Sequence, residues 1–551
     1  MVSIGAILPF LAILSNPNLV FEHTYVQPVI QILGYTDDKE LLLLLTIVFI
    51  GTAVIAGAVR LLLLWSSTKL SYAIGSDLSM SIYNRTLYQP YSVHVGRNSS
   101  EVIDGITNKS NNIIHIINMT LNLISSTFIL SAILIALFSL HVKIALASFV
   151  GFGIIYISIN LLTKRRLFRN SKIISEQSIL TIKSLQEGLG GIREILINNN
   201  QKRYCDIYNK AEVSLRNAQS SNQFISFGPR YVIEAMGIVI ISILAYILAK
   251  KGDEIGTAIP ILGALALGVQ RLLPVLQQAY VSISSIQGGR VSLLETLEFL
   301  NQKVPNLVEQ NKLKKINFIS KIELTNINFS YENNNTQILK NVTLTIQKGS
   351  HVGFIGTTGC GKSTLIDIIM GLLQSKTGNL EVDGKIINSE NCRSWQANIA
   401  HVSQNIYLAD SSIEENIAFG IPKKMIDFNQ VVYAASQAQI SKTIESWPNK
   451  YKTFIGERGV RLSGGQRQRI GIARALYKKS NVIIFDEATS ALDNNTEESV
   501  MDAISKLSNE LTLIIVTHRI NTLKKCNMIV EIDQGEIKRI IDYNDLIENK
   551  D

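Results

Sequence analysis

Charge is scarce in this sequence. Asp, Glu, Lys and Arg make up only 18% of its 551 residues, against about a quarter in an ordinary soluble domain. With a mean hydropathy of +0.20, the chain is neither a disordered polyelectrolyte nor a wholly soluble protein. Cysteine is scarcer still. There are four, Cys205, Cys360, Cys392 and Cys526, too far apart for a Cys-x-x-Cys pair or a zinc cluster. They read as free thiols facing the cytosol, which excludes a disulfide-built scaffold. Secretory-signal features are scarce too. The first apolar run, 2–15, has no basic segment before it and ends in Ser-Asn-Pro, not in a small-residue cleavage site.

Long apolar runs are abundant in the first half. A membrane core of about 30 Å needs about 20 helical residues. Five segments are long enough: 41–65, 116–139, 142–162, 231–249 and 257–282. The run 2–15 would reach only about 21 Å, so it is expected to be the exit half of a first span whose front is missing, through a late start or a truncation. Lys and Arg gather in two long loops, 66–112 and 163–230, and the opposite side carries few. The positive-inside rule puts both loops and the C-terminal half in the cytosol. It also explains the net charge of +9 without nucleic acid as a partner. Apolar residues recur at helical spacing through both loops, so the spans are expected to continue as helices. Their tips, near 98–105 and 201–209, are expected contact points for something in the cytosol. The expected organisation is a transmembrane domain at 1–282, a helical linker at 283–318 and a soluble α/β domain at 319–551.

The soluble part carries GFIGTTGCGKSTL. This gives Gly-x-x-x-x-Gly-Lys-Ser, from Gly356 through Thr357, Thr358, Gly359, Cys360, Gly361, Lys362 and Ser363 to Thr364, between a strand-like run and a helix-like run. That is the context of a P-loop. Backbone N–H groups wrap phosphates, Lys362 reaches the terminal phosphates, Ser363 ligates Mg²⁺, and the helix N-terminus favours the anion. Cys360, inside the loop, reads as a small residue that fits, with a redox switch as the alternative. The run NVIIFDEATSALD then ends a strand at Asp486 and Glu487. Asp486 suits the Mg²⁺ shell, and Glu487 is placed to polarise an attacking water.

A third stretch, LSGGQRQR at 462–469, follows from no periodicity. With the P-loop it resembles the signature of ATP-binding cassette (ABC) proteins, and the resemblance covers all of 319–551. It implies that Tyr331 stacks on adenine. Gln404 becomes the Q-loop glutamine that touches Mg²⁺ and the membrane domain, Asp493 the D-loop acid, and His518 the switch histidine at the γ-phosphate. TFIGERG at 453–459 resembles the X-loop of exporters. The resemblance further implies that Leu462, Ser463, Gly464, Gly465 and Gln466 act in trans on a second cassette. A dimer is therefore expected, and the intact Glu487 and LSGGQ favour a homodimer. The loop tips would be coupling helices docking near Gln404 and Tyr407.

Spans joined N-terminally to a cassette resemble half-transporters of the type IV exporter fold. The expected fold is thus six helical spans, the first truncated, fused to an ABC-type α/β P-loop domain. The expected activity is ATP hydrolysis with Mg²⁺ coupled to alternating access, in a bacterial cytoplasmic membrane. Arg60 interrupts AVIAGAVRLLLLW in the second span, Arg271 lies in GVQRLLPVL, and Arg230 precedes Glu234 in GPRYVIEAMG. A mid-membrane arginine costs roughly 2.5–3.5 kcal/mol on insertion scales, so it faces a wet cavity or a partner. Snorkelling, or for Arg230 pairing with Glu234, is the alternative. ILPFLAILSNP, the span-two arginine, PRYVIEAMG, QRLLP and YVQPVIQILGY together resemble the lipid-linked oligosaccharide flippase group of bacterial protein N-glycosylation. That resemblance implies a membrane lipid or lipid-linked saccharide as cargo and the three arginines as contacts for its pyrophosphate. An exporter of hydrophobic drugs, peptides or plain lipids, and an ATP-gated channel, are the alternatives.

Overall fold

The computed structural model describes residues 38–140, 142–250, 255–303, 314–331, 336–489, 491–505 and 510–548. The short apolar run at 2–15 and the stretch YVQPVIQILGY lie outside the described residues. The chain divides into two compact units, Met1–Gln89 with Arg97–Lys303, and Pro90–Gly96 with Val304–Asp551.

In chain order the helices begin with α1 (Asp38–Leu87), α2 (Tyr91–Gly96) and α3 (Ser99–Asp104). A single π turn, Gly105–Lys109, joins α3 to α4 (Ser110–Leu140). Then come α5 (Val142–Gly190), α6 (Gln201–Lys250), α7 (Ile255–Gly288) and α8 (Arg290–Leu300). Helices α1 and α6 have 50 residues each, about 75 Å at 1.5 Å per residue, more than twice a bilayer core. Among the described residues, Thr46–Leu87 and Ser99–Ile135 are long and apolar enough to cross a membrane.

The turns of the two long loops fall earlier than the expected tips at 98–105 and 201–209. They sit at α2 and at the short helix Ile192–Ile197. The reason is local capping. Asn98 accepts a hydrogen bond from Ser100 N at 3.0 Å and so restarts the returning helix there. In the second loop the chain breaks at Gly191 and at Asn199, whose φ is +51°, so 201–209 already belongs to α6.

Two polar devices hold the first unit together. Pro229 lies inside α6, where its ring removes the N–H that would bond Ile225 O. Tyr280 Oη of α7 donates to that carbonyl at 3.1 Å, and Gln277 Nε2 donates to Ser226 O at 3.3 Å. Tyr156 Oη of α5 donates to Gln277 Oε1 at 2.9 Å, inside a buried cluster of Ile133, Ile233, Leu272 and Leu276. The second device sits at the π turn. Lys109, buried, lies 2.8 Å from Glu295 Oε2 on α8 and 3.6 Å from Asp104 Oδ2. Ser175 and Ser178 of α5 donate to Glu295 and Asp104, each at 2.5 Å. The extensions of α4, α5 and α8 therefore share one charge-paired centre.

In the second unit, β1 (Lys321–Phe329), β2 (Leu339–Gln347), β4 (Thr377–Val382) and β5 (Lys385–Ile386) form an antiparallel sheet in the order β2-β1-β4-β5. The larger sheet contains β3 (His351–Gly356), β6 (Ile399–Val402), β7 (Val482–Asp486), β8 (Thr512–Val516), β9 (Met528–Asp533) and β10 (Glu536–Ile541), in the order β10-β9-β3-β8-β7-β6. All its pairs are parallel except β9 with β10. Strand alternation sorts the side chains into two cores. Ile483, Phe485, Leu513 and Ile515 enter one; Val482, Ile484, Ile514 and Val516 enter the other. Burial on both faces is why these strands read as unbroken apolar runs. The four helices that bear on the site are α9 (Lys362–Ile369), α10 (Phe428–Gln437), α11 (Gly464–Tyr477) and α12 (Asn494–Ser505).

Candidate functional site

The C-terminal ends of β3, β6, β7 and β8 lie along one edge of the parallel sheet, the usual ligand edge of an open α/β sheet. From β3 the chain enters the loop Gly356–Thr364 and then α9. Two glycines there are dictated by space. At Gly356, with φ +147°, a Cβ would meet Ile532 O at 2.1 Å. At Gly361, with φ +103°, it would meet Leu339 Cδ2 at 2.9 Å and Ile338 O at 3.1 Å. Gly359 instead borders open space. No side chain caps α9, so its first N–H groups have no intrahelical acceptor.

Lys362 is buried. Its Nζ donates to Gly356 O and Thr357 O, both at 2.8 Å, with Cys360 Sγ at 3.7 Å. Ser363 is exposed at the first turn, while Thr364 and Cys360 are buried. An ammonium ringed by open amide groups suits a phosphate chain.

Asp486 closes β7, and burial pushes its carboxyl up, Glu487 adding to the effect while Lys362 opposes it. Glu487 follows with φ +48°. Its N–H donates to Val516 O at 2.9 Å. Two side chains grip its carboxylate: Gln404 Nε2 donates to Oε2 at 2.7 Å, and His518 Nε2 lies 3.0 Å from Oε1. Residues 83 and 31 positions away in sequence thus converge on one acid because β6, β7 and β8 are neighbours. Tyr331, at the end of β1, packs edge-on against Phe329 with ring centroids 5.0 Å apart. In α2, which counts with this unit, burial pushes the Tyr91 phenol up, and Asp367 and then Tyr331 add to it. Asp367 and Tyr331 therefore lie within electrostatic reach of this first tip.

The signature stands apart. Ser463 caps α11 in a capping box with Gln466, Leu462 is buried, and a Cβ on Gly465 would lie 3.2 Å from Ala491 O. Among the described residues, no hydrogen bond or ion pair joins Leu462–Gln466 to the Gly356–Thr364 loop. Asp493 accepts from Thr496 N at 2.9 Å and from Thr496 Oγ1 at 2.7 Å, bonds that hold its carboxyl below the usual range. Sequence reasoning missed Arg474 of α11. It donates to Tyr407 O and Asn416 O, both at 2.9 Å, and its guanidinium lies over Phe419. Burial lowers its pKa to about 10. Arg474 thus secures the loop that follows Gln404, a role with no sequence motif of its own.

The three membrane arginines fare differently. Arg60 is exposed on α1, whose apolar window is not buried in the chain at all. Arg230 Nε is bonded to Glu234 Oε1 at 2.8 Å. Arg271 lies in α7, and its side chain lies outside the described residues.

The family described as ABC transporter matches residues 339–490, and the ABC transporter transmembrane region matches residues 6–254. The ATP-dependent lipid A-core flippase of Wigglesworthia glossinidia brevipalpis is 31% identical over 401 residues, 72% of this chain and 68% of that protein. The chain belongs to the ABC transporter family. It is an integral membrane protein and an ATP-driven exporter whose cassette binds ATP. A putative multidrug export ATP-binding/permease protein, YgaD of Bacillus subtilis, is 27% identical over 489 residues, 88% of this chain and 82% of its own length. The solved structure of a bacterial Atm1-family ABC exporter with ATP bound superposes with a TM-score of 0.80 at 20% identity, covering 100% of this chain and 96% of the other. That likeness fixes the ABC exporter fold.

Proposed function

We propose that this ABC transporter flips a lipid-linked saccharide, or a related anionic amphipathic lipid, out of the cytosolic leaflet of a bacterial inner membrane as a homodimer. The observation that carries the reading is Arg60, an obligatory cation exposed on an apolar helix that the chain itself does not cover. A guanidinium there suits a phosphate or pyrophosphate, which it binds through two parallel hydrogen bonds. Arg271 is its proposed companion. Arg230 is a weaker candidate, since Glu234 already occupies it. Two curated relatives named as lipid A-core flippases, from W. glossinidia and Saccharophagus degradans, support a lipid cargo.

ATP, when bound, supplies the polyanion and the phosphoanhydride bond that is cleaved. Lys362 and the α9 amides neutralise that anion, and Tyr331 packs against the base. Ser363, Gln404 and Asp486 are the proposed Mg²⁺ ligands. Glu487 orients the attacking water, and Gln404 with His518 fixes the rotamer of Glu487. Leu462–Gln466 completes the site of the second copy, which makes closure depend on nucleotide.

The test is reconstitution in liposomes. Arg60→Ala is expected to keep basal ATPase and to lose most flipping of a polyprenyl-pyrophosphate saccharide. Unchanged flipping of every anionic lipid offered would refute the reading. The name of the B. subtilis relative favours a second reading, drug export. That reading expects stimulation by uncharged apolar compounds and indifference to Arg60→Ala.

A further inference from the structure

The π turn and helices α4, α5 and α6 line a half-open cavity of about 260 Å³ in their extensions beyond the apolar spans. We propose that this cavity binds one neutral sugar ring. The inference leans on the cargo reading above only for where that sugar comes from.

The lining decides the ligand class. Its only charged residues are Glu212 and Arg216, and they neutralise each other, Arg216 Nε donating to Glu212 Oε1 at 2.7 Å. A phosphate or carboxylate therefore finds no net charge to meet. Amides dominate instead: Asn108, Asn111, Asn112 and Gln219. An amide offers a donor and an acceptor side by side, the pattern that vicinal sugar hydroxyls satisfy.

Three of the four amides are held in place, and Asn111 stands exposed at the rim. Arg216 Nη1 donates to Gln219 Oε1 at 3.0 Å, which turns the Gln219 NH₂ away from Arg216. Asn108 Nδ2 donates to Asp104 Oδ1 at 2.9 Å and Ser178 Oγ at 3.0 Å. Asn112 Nδ2 donates to Ser292 Oγ at 3.4 Å. The Asn108 and Asn112 carbonyl oxygens are then the acceptors offered to a ligand. Tyr208 supplies a half-buried ring, amphipathic as the face of a sugar requires. The volume corresponds to about nine waters at about 30 Å³ each. It falls below the roughly 300 Å³ at which drug-sized pockets begin, so it suits a single ring.

Occupancy has a path outward. Asn108 and Ser178 both hold Asp104, Asp104 flanks Lys109, and Lys109 pairs with Glu295 of α8. A sugar bonded to Asn108 therefore bears on the charge-paired centre beneath it.

The test uses the full chain in nanodiscs. Saturation-transfer NMR would follow free N-acetylglucosamine, galactose and glucose. ATPase would be compared with polyprenyl pyrophosphate, bare or carrying N-acetylglucosamine. At least one free sugar is expected to receive saturation, Asn111→Ala to weaken it about tenfold, and Thr181→Leu, which fills the cavity, to abolish it. If the sugar-bearing lipid stimulates ATPase more than the bare lipid, and both variants erase that ratio, the head of the lipid cargo is the source. If a free sugar binds through Asn111 while neither lipid stimulates, the site stands for free saccharide and the cargo reading falls. The proposal is overturned if no neutral sugar receives saturation and the ratio is either one or untouched by both variants, even when lipid stimulation itself is strong.

Discussion

Replacing Tyr280 by Phe removes one oxygen from the core of the membrane unit and keeps the ring. In the native chain that hydroxyl donates to Ile225 O, the carbonyl left without its helical N–H by Pro229. Leaving a buried carbonyl orphaned costs about 1–3 kcal/mol in general. Hydrogen bonds inside membrane bundles average nearer 0.6 kcal/mol and reach about 1.7. The ring still packs against Tyr156, whose centroid is 5.2 Å away, so packing loss is small, and a destabilisation of about 1–1.5 kcal/mol is expected. The decisive measurement is a double-mutant cycle. Pro229→Ala restores the backbone donor to Ile225 O, so Tyr280→Phe in that background should cost less than about 0.5 kcal/mol. The assay is reversible SDS unfolding of the detergent-solubilised protein, followed by far-UV circular dichroism of the helices. Equal costs of Tyr280→Phe in both backgrounds would show that the hydroxyl does not answer for the proline.

Other outcomes follow from the cassette. Glu487→Gln should retain ATP binding, measured by equilibrium dialysis, and lose about 10²–10⁴-fold of its hydrolysis rate; normal turnover would remove Glu487 from its assigned role. Asp367, raised to about 6 by burial and by Asp486, binds its proton more tightly folded than unfolded. Nucleotide-free protein should therefore lose stability as pH rises from about 4 to 6, and Asp367→Asn should flatten that part of a melting-temperature profile. Arg474→Lys keeps a charge but loses the planar fork whose Nε and Nη1 reach Asn416 O and Tyr407 O from fixed positions, and the guanidinium face over Phe419. It should lower ATPase stimulation by transported lipid more than basal ATPase, as read in liposomes.

What could be read in advance depended on how local the constraint was. The P-loop was legible because each requirement falls on consecutive residues: a turn that admits only glycine at Gly356 and Gly361, an amine at Lys362, a hydroxyl at Ser363. The apolar runs in α1 and α4 were legible because hydrocarbon imposes length and composition on each segment separately. The first loop tip was misplaced because Asn98 was read as part of the tip itself, although an Asn two residues ahead of a free N–H is a helix start. Pro229 with Tyr280 was not legible, since 55 residues separate the donor from the carbonyl it serves. Nor was the grip on Glu487, for which the strand order must be known first. Arg230 lay between these cases. Its partner stood four residues on, and the alternative of pairing with Glu234 is the geometry the structure shows.

The π turn at Gly105–Lys109 has a consequence for how this helix pair tolerates change. A π turn is an α-helix holding one residue more than its pitch allows. Each residue turns an α-helix by about 100°. Deleting any one of the five would therefore let α3 and α4 fuse into a continuous α-helix with Asp104 still facing Ser178. The π turn thus absorbs one residue of length without a change of phase. The same deletion at a neighbouring α-helical position, with no bulge to take it up, would swing Asp104 by about 100°.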